Sequence, residues 1–137
     1  MEKQKHKIGI SDILLLVVSI IFFVGILTFF KPCGPMDDGN WMTCHWAGNA
    51  IAGASVVLLI IAILHILIPD ARIKIGLSIA VIPIAALAAV IPGHLINLCM
   101  METMRCHAVM TPATIVMAAF MIAAAAFDIL VNRKKDR

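Results

Sequence analysis

The stretch ILLLVVSIIFFVGILTFF, residues 13–30, decides the fold class of this chain because it carries no charged side chain. A helix needs about 20 predominantly apolar residues to cross roughly 30 Å of hydrocarbon. Ser11 and Asp12 precede the stretch and suit a helix N-cap, whereas Lys31 and Pro32 follow it and disfavour further helix. The sequence therefore predicts a transmembrane helix from Asp12 to Phe30.

Three further apolar stretches have a similar length, and they cover residues 46–68, 73–91 and 112–131. Pro69 and Asp70 end the second stretch shortly before the third begins, which predicts a tight helical hairpin. Thr111 followed by Pro112 suits the start of the fourth helix, and Pro83 predicts a kink in the third. The fold class predicted is an all-α integral membrane protein with four transmembrane helices in two helical hairpins.

The composition agrees with a membrane protein, since 62% of the residues are hydrophobic and only 14% are charged. The mean hydropathy is +1.02. Soluble domains are nearer to half apolar and a quarter charged, so a soluble globular domain is excluded. A chain of 137 residues has room for one domain, and we predict a single transmembrane domain over residues 1–137 that lies in a lipid bilayer.

The basic residues predict the orientation of the helices. With the four predicted spans, one side of the membrane receives Lys3, Lys5, Lys7, Arg72, Lys74, Arg133, Lys134, Lys135 and Arg137. The other side receives only Lys31 and Arg105. The positive-inside rule then places both termini in the cytoplasm of a bacterium, in its inner membrane, and turns the loops 31–45 and 92–110 outward. Because the basic residues do not share one face of a fold, nucleic acid is not a predicted partner.

All four cysteines lie in the two predicted outer loops, at Cys33, Cys44, Cys99 and Cys106. An even number of cysteines on an oxidising face is typical of disulfides. The short loops favour pairing Cys33 with Cys44 and Cys99 with Cys106, although bridges between the two loops are an alternative. We expect a disulfide-braced cap on the outer face.

The two outer loops end in the same short pattern, M-x-C-H, at residues 42–45 and 104–107. Each copy stands just before a span that returns inward, and each follows another cysteine. This spacing predicts an internal repeat of two helical hairpins about a pseudo-twofold axis along the membrane normal.

Thioether and imidazole side chains make the predicted cap a candidate metal site. The candidate ligands are Met42, His45, His94, Met104 and His107. Such ligands suit copper or haem iron, although neither a C-x-x-C pair nor a C-x-x-C-H haem motif is present. The alternative is that the methionines fill apolar gaps and each histidine lies at the membrane interface.

A second alternative follows from the topology, which is similar to that of the quinone-linked membrane oxidases that re-oxidise thiol donors. Those proteins use a closely spaced, low-pKa cysteine pair, whereas the cysteines here are further apart in each loop. A membrane thiol-disulfide oxidoreductase is therefore a separate hypothesis, and no catalytic residue is assigned.

Three polar residues fall inside the predicted spans, where they are functional candidates: Asn49, His65 and Asp128. His65 and Asp128 each lie about one turn from the predicted inner end of a span. They either extend separately to the same interface or form a pair that could serve a proton path. Asn49 is predicted to bond across to a neighbouring helix.

The motifs C-G-P-M at residues 33–36, M-T-C-H-W at 42–46 and C-M-M-x-x-M-x-C-H at 99–107 resemble a bacterial family of small membrane proteins of unknown function. The resemblance implies the four-helix topology and the outer cap but no reaction. An association of such relatives with ABC-type transporter components implies an accessory or sensor subunit of a transport system. Copper or haem binding and thiol oxidation are the alternatives, and homo-oligomers are left open.

Overall fold

The computed structural model describes residues 8–29, 39, 43–97 and 106–137, with backbone alone at 106 and 107. In chain order its helices are α1 (Ile10–Thr28), α2 (Thr43–Leu67), α3 (Ala71–Val90) and α4 (Thr111–Asp136). A π-helical turn, Cys106–Met110, leads directly into α4. All four helices are long and apolar enough to cross a membrane, and the described ranges contain no β-strand. The predicted all-α, four-helix fold is confirmed.

The starts of α1 and α2 differ from the sequence prediction. Gly9 is the N-cap of α1, and the Asp12 carboxylate lies inside the first turn, where it accepts the Gly9 N–H at 2.9 Å. Helix α2 begins at Thr43 rather than Trp46, because no helix breaker separates these positions. Cys44 and His45 therefore belong to a helix and not to a loop, whereas their predicted position on the outer side stays a prediction.

The connection between α2 and α3 is as tight as predicted. The Asp70 side chain caps α3 by accepting the Arg72 N–H at 3.0 Å, which satisfies one of the free donors at the helix start. Pro83 lies inside α3, and the helix continues beyond it to Val90. Consecutive helices thus run antiparallel.

The helices form a bundle in which α1 packs against α2 and α4, and α3 packs against α4 and α2. The pairs α1/α3 and α2/α4 therefore face each other across the bundle axis. We name the end where α1 and α3 begin the basal end, and the opposite end the apical end. Large apolar side chains also cover the outside of the bundle, as a bilayer requires. Examples are Ile20, Ile60, Ile79 and Phe120.

Alanines fill much of the contact between α3 and α4, where Ala85, Ala88, Ala118 and Ala125 are buried. Small side chains let the backbones of membrane helices approach closely, which compensates for the absence of a hydrophobic driving force between helices in lipid. Larger side chains, including Leu15, Phe22, Leu58 and Met121, fill the rest of the interior. The core holds the helix ends in a fixed relation and so positions the polar groups at the basal end.

Candidate functional site: a buried ionic network

Each of the four helices contributes one ionisable side chain to the basal interior. These are Asp12 from α1, His65 from α2, Lys74 from α3 and Asp128 from α4, all at most 5% exposed. Ionisable groups at membrane depth are costly unless they are paired, and they commonly mark functional sites. We call this set, with Ser78, the basal network.

His65 lies between two carboxylates from different helices. Its Nε2 is 2.8 Å from Asp128 Oδ2, in hydrogen-bonding geometry, and its Nδ1 is 3.2 Å from Asp12 Oδ1. The Nδ1 contact is within ion-pair distance but is not well enough aligned for a hydrogen bond. A neutral imidazole carries one N–H, and only the imidazolium presents a proton to both carboxylates. Both ring nitrogens of His65 therefore face a carboxylate.

Lys74 reaches Asp12 across the bundle axis. The Lys74 ammonium donates to Asp12 Oδ2 at 2.6 Å, and this oxygen also accepts the Gly9 N–H. Asp12 therefore contacts its own helix start, α2 through His65, and α3 through Lys74. A charge-assisted contact of this length in a buried position ties α1 to the helix diagonally opposite.

Ser78 completes the network on the side of Asp128. Its hydroxyl donates to Asp128 Oδ2 at 2.6 Å and lies 3.2 Å from His65 Nε2. If His65 is protonated, the two carboxylates are balanced by one ammonium and one imidazolium. A buried network without net charge avoids most of the cost of isolated charges in a medium of low dielectric constant.

Two further buried polar atoms, Asp128 Oδ1 and Asn132 Nδ2, have no hydrogen-bond partner in the described part of the chain. Both residues lie on α4, one helical turn apart. Buried polar groups without partners are rare and are often associated with function or with a bound water. The unused hydrogen-bonding capacity is clearest at Asn132, since the buried Ser11 side chain also lies beside Asp128.

Ligand atoms of Asp12, His65 and Asp128 lie within 4.8 Å of one another, a spacing that a single cation could bridge. However, each ring nitrogen of His65 already faces one of the two carboxylates, and the Lys74 ammonium contacts Asp12 Oδ2 at 2.6 Å, where a cation at Asp12 would lie. The geometry therefore favours ion pairing and proton exchange over metal ligation at this end of the bundle.

Comparison with models of known protein families gives a match that covers most of the chain. The model of a family described as "Domain of unknown function (DUF4418)" matches residues 15–131. The chain belongs to the DUF4418 family. The match runs from α1 to α4 and includes His65, Lys74 and Asp128, whereas Asp12 lies just before it. No curated protein and no solved structure matches the chain.

Membership of DUF4418 agrees with the resemblance to a membrane family of unknown function. That the cysteine, methionine and histidine motifs are features of this family stays a prediction, as does the bacterial origin. The family description carries no activity, so the chemistry of this DUF4418 protein has to be argued from its own side chains.

Two of the three intramembrane polar residues form the predicted pair. His65 and Asp128 are fully buried and bonded to each other, so the alternative that they extend separately to the interface was wrong. Their partners on the other helices hold them inward. Asn49 is exposed, and its Nδ2 lies 3.1 Å from His45 Nε2 one turn away on α2. The described contact of Asn49 is therefore within its own helix, as the i, i+4 spacing favours.

Sequence reasoning missed Asp12, Lys74 and Ser78 as members of the site. From the sequence alone, Asp12 fits a helix cap and Lys74 fits a cation in a loop, and no short motif marks Ser78. Lys74 and Ser78 are four residues apart on α3 and so share a face. A polar stripe of this kind, starting at the end of an otherwise apolar span, is the signal that could have identified them.

Most of the predicted apical cap falls outside what the structure describes in this DUF4418 protein. Outside the described side chains lie Cys33, Met42, Cys99, Met104, Cys106 and His107. Cys44 is buried in α2, His45 packs edge-on against Trp46, and His94 is exposed in the turn after α3. Both disulfide pairs and the candidate copper or haem site therefore remain predictions.

The cap can be tested by the intact mass of the detergent-purified protein after alkylation, with and without reductant, together with its absorbance spectrum and metal content. We expect alkylation of the four cysteines only after reduction, because the oxidising face favours two disulfides. Free thiols accompanied by bound copper or by a haem Soret band would contradict this expectation and make the cap a ligand site.

Proposed function

We propose that this protein is a small membrane accessory or sensor subunit that responds to protons through the basal network. The observation that carries the proposal is the position of His65 between Asp12 and Asp128, with ring-to-carboxylate distances of 3.2 and 2.8 Å. Histidine is the side chain whose protonation changes most readily near neutral pH. A protonated His65 would present one N–H towards Asp12 on α1 and the other to Asp128 on α4.

Loss of the His65 proton would disturb the network in two ways. One carboxylate would face a nitrogen lone pair instead of an N–H, and the buried site would be left with a net negative charge. The contact between His65 and Asp12 would be lost first, because it already lacks hydrogen-bond alignment. Asp128 would keep the hydrogen bond that it accepts from the Ser78 hydroxyl. Deprotonation should therefore separate the basal end of α1 from α2.

The charged groups around His65 come from every helix packed against it. Helix α1 provides Asp12, helix α3 provides Lys74 through Asp12, and helix α4 provides Asp128. With Lys74 charged, protonation of His65 makes the set neutral. Acidification therefore closes the basal end and rising pH opens it.

We propose that the partner is a membrane transport system of the ABC type, as the family resemblance implied. Gly53 on α2 and Gly76 on α3 are exposed with open space around them, which would allow a partner helix or a second copy to approach closely. Basic residues at the basal end, including Arg72 and Arg133, support a cytoplasmic position for this end and N-in, C-in topology in the inner membrane.

The proposal is tested by hydrogen exchange of the reconstituted protein between about pH 5 and about pH 9, corrected for the intrinsic pH dependence of exchange. We expect protection at the start of α1 and the end of α2 to fall as pH rises in the native protein. The His65→Gln variant should lose this dependence. His94→Gln removes an exposed histidine at the apical end and should keep it. Equal protection across the range, or the same dependence in His65→Gln, would overturn the proposal.

A further inference from the structure

The last turns of α4 carry a group of cations on the outside of the bundle. Leu130, Arg133, Lys134 and Arg137 line an open cleft of about 280 Å³. All four residues are exposed. Leu130 is the member furthest from the C-terminal end of the helix, and the surface inside the cleft is mostly apolar, so the three cationic residues line it mainly with their aliphatic parts.

The length and the charges of α4 together favour a position of this cleft at the edge of a bilayer. The helix Thr111–Asp136 has 26 residues, or roughly 39 Å at about 1.5 Å per residue. The hydrocarbon layer is about 30 Å thick, so part of α4 extends beyond it, and the basic residues of the last turn favour the C-terminal end for that position. Leu130 then lies near the acyl chains, and the three cations lie at the depth of the phosphates.

The cations of this cleft are not neutralised by carboxylates within the described part of the chain. Asp136, which is next to them in sequence, instead contacts Arg72 at 3.5 Å. Lys135 points away from the cleft, since its ammonium lies 3.6 Å from the position that a Cβ at Gly9 would take. Arg133, Lys134 and Arg137 therefore form a local positive site that is separate from the basal network.

We propose that this cleft binds one anionic phospholipid, such as phosphatidylglycerol. The phosphate contacts Arg133, Lys134 and Arg137, and an acyl chain lies along Leu130. Guanidinium groups suit phosphate because they present parallel N–H donors to two oxygens. Basic clusters beside a membrane helix attract anionic lipids through the same charges. The proposal does not depend on the proton response of His65.

The test uses native mass spectrometry of the full chain taken from micelles with equal amounts of phosphatidylglycerol and phosphatidylcholine. We expect the native protein to retain phosphatidylglycerol preferentially. Arg133→Gln should weaken this retention about five-fold, the effect expected for one cation near an anionic surface. Lys135→Gln is the matched control, because it removes a cation of the same helix turn that does not line the cleft.

Equal retention of the two lipids by the native protein would overturn the proposal, as would equal losses in Arg133→Gln and Lys135→Gln. Displacement of the lipid by millimolar inorganic phosphate would also overturn it, because the cleft would then recognise phosphate alone. Both variants change exposed side chains, so folding is not expected to limit the comparison.

Discussion

Asp128→Ala is expected to lower the free energy of unfolding by about 3 to 5 kcal/mol, the cost of removing one partner from a buried ion pair. The change would leave His65 Nε2 and the Ser78 hydroxyl without their shared acceptor, since both contact Asp128 Oδ2. It would also leave His65 and the Lys74 ammonium facing a single carboxylate. Both effects act in the interior, where water cannot compensate.

Asp136→Ala is the matched control for this experiment. Asp136 lies on the same helix, but it is 44% exposed, and its partner Arg72 is 81% exposed at 3.5 Å. Exposed ion pairs contribute at most about 1 kcal/mol, so the control should unfold almost like the native protein. The measurement is reversible unfolding in mixed micelles followed by circular dichroism. Equal effects of the two substitutions would show that the basal network contributes no more than a surface pair.

The four spans could be predicted from the sequence because a bilayer imposes a simple requirement on a helix. A long apolar stretch has to satisfy its backbone hydrogen bonds internally, and prolines and charged residues at its ends limit the choice of boundary. The prediction of α3, from 73 to 91, is within two residues of the observed Ala71–Val90. The hydropathy pattern alone therefore predicts the number of helices and their approximate bounds.

The basal network could be predicted only in part, because hydropathy does not say which way a polar side chain near a helix end points. Lys74 beside a short loop fits an exposed cation as well as a buried one, and the positive-inside rule counts it in either case. Its burial follows from Asp12, which is remote in sequence and meets it through the packing of all four helices. The pair His65 and Asp128 was easier to predict, since two polar groups of opposite character were expected at the same depth.

At the apical end, the sequence identifies which side chains could bind a metal or form disulfides, but it does not say which of them lie close together. The M-x-C-H segments identify candidate ligands and thiols, but the pairing of the cysteines depends on how the two loops approach each other. The start of α2 before Cys44 already changes one part of that prediction, since it fixes Cys44 and His45 to a helix. The mass experiment therefore tests the apical end of the protein, whereas the variants of the basal network test the opposite end.

Lys74→Met is expected to destabilise the protein by about 3 kcal/mol or more, although methionine fills a similar volume. The substitution removes the ammonium that contacts Asp12 at 2.6 Å and leaves the network with excess negative charge. Arg72→Met is the control two residues away, where the side chain is exposed and a small effect is expected. If Lys74 were only a loop cation, as the sequence suggested, the two variants would unfold alike.

A second substitution distinguishes charge balance from packing at the same position. Adding Asp12→Asn to Lys74→Met removes one charge of each sign and leaves His65 paired with Asp128. The double variant should therefore lose less stability than the two single losses added together, by about 1 to 3 kcal/mol, the usual coupling between members of one network. If the two losses simply add, packing rather than charge holds Lys74 in place. Charge balance in the basal network would then not control how the helices are joined.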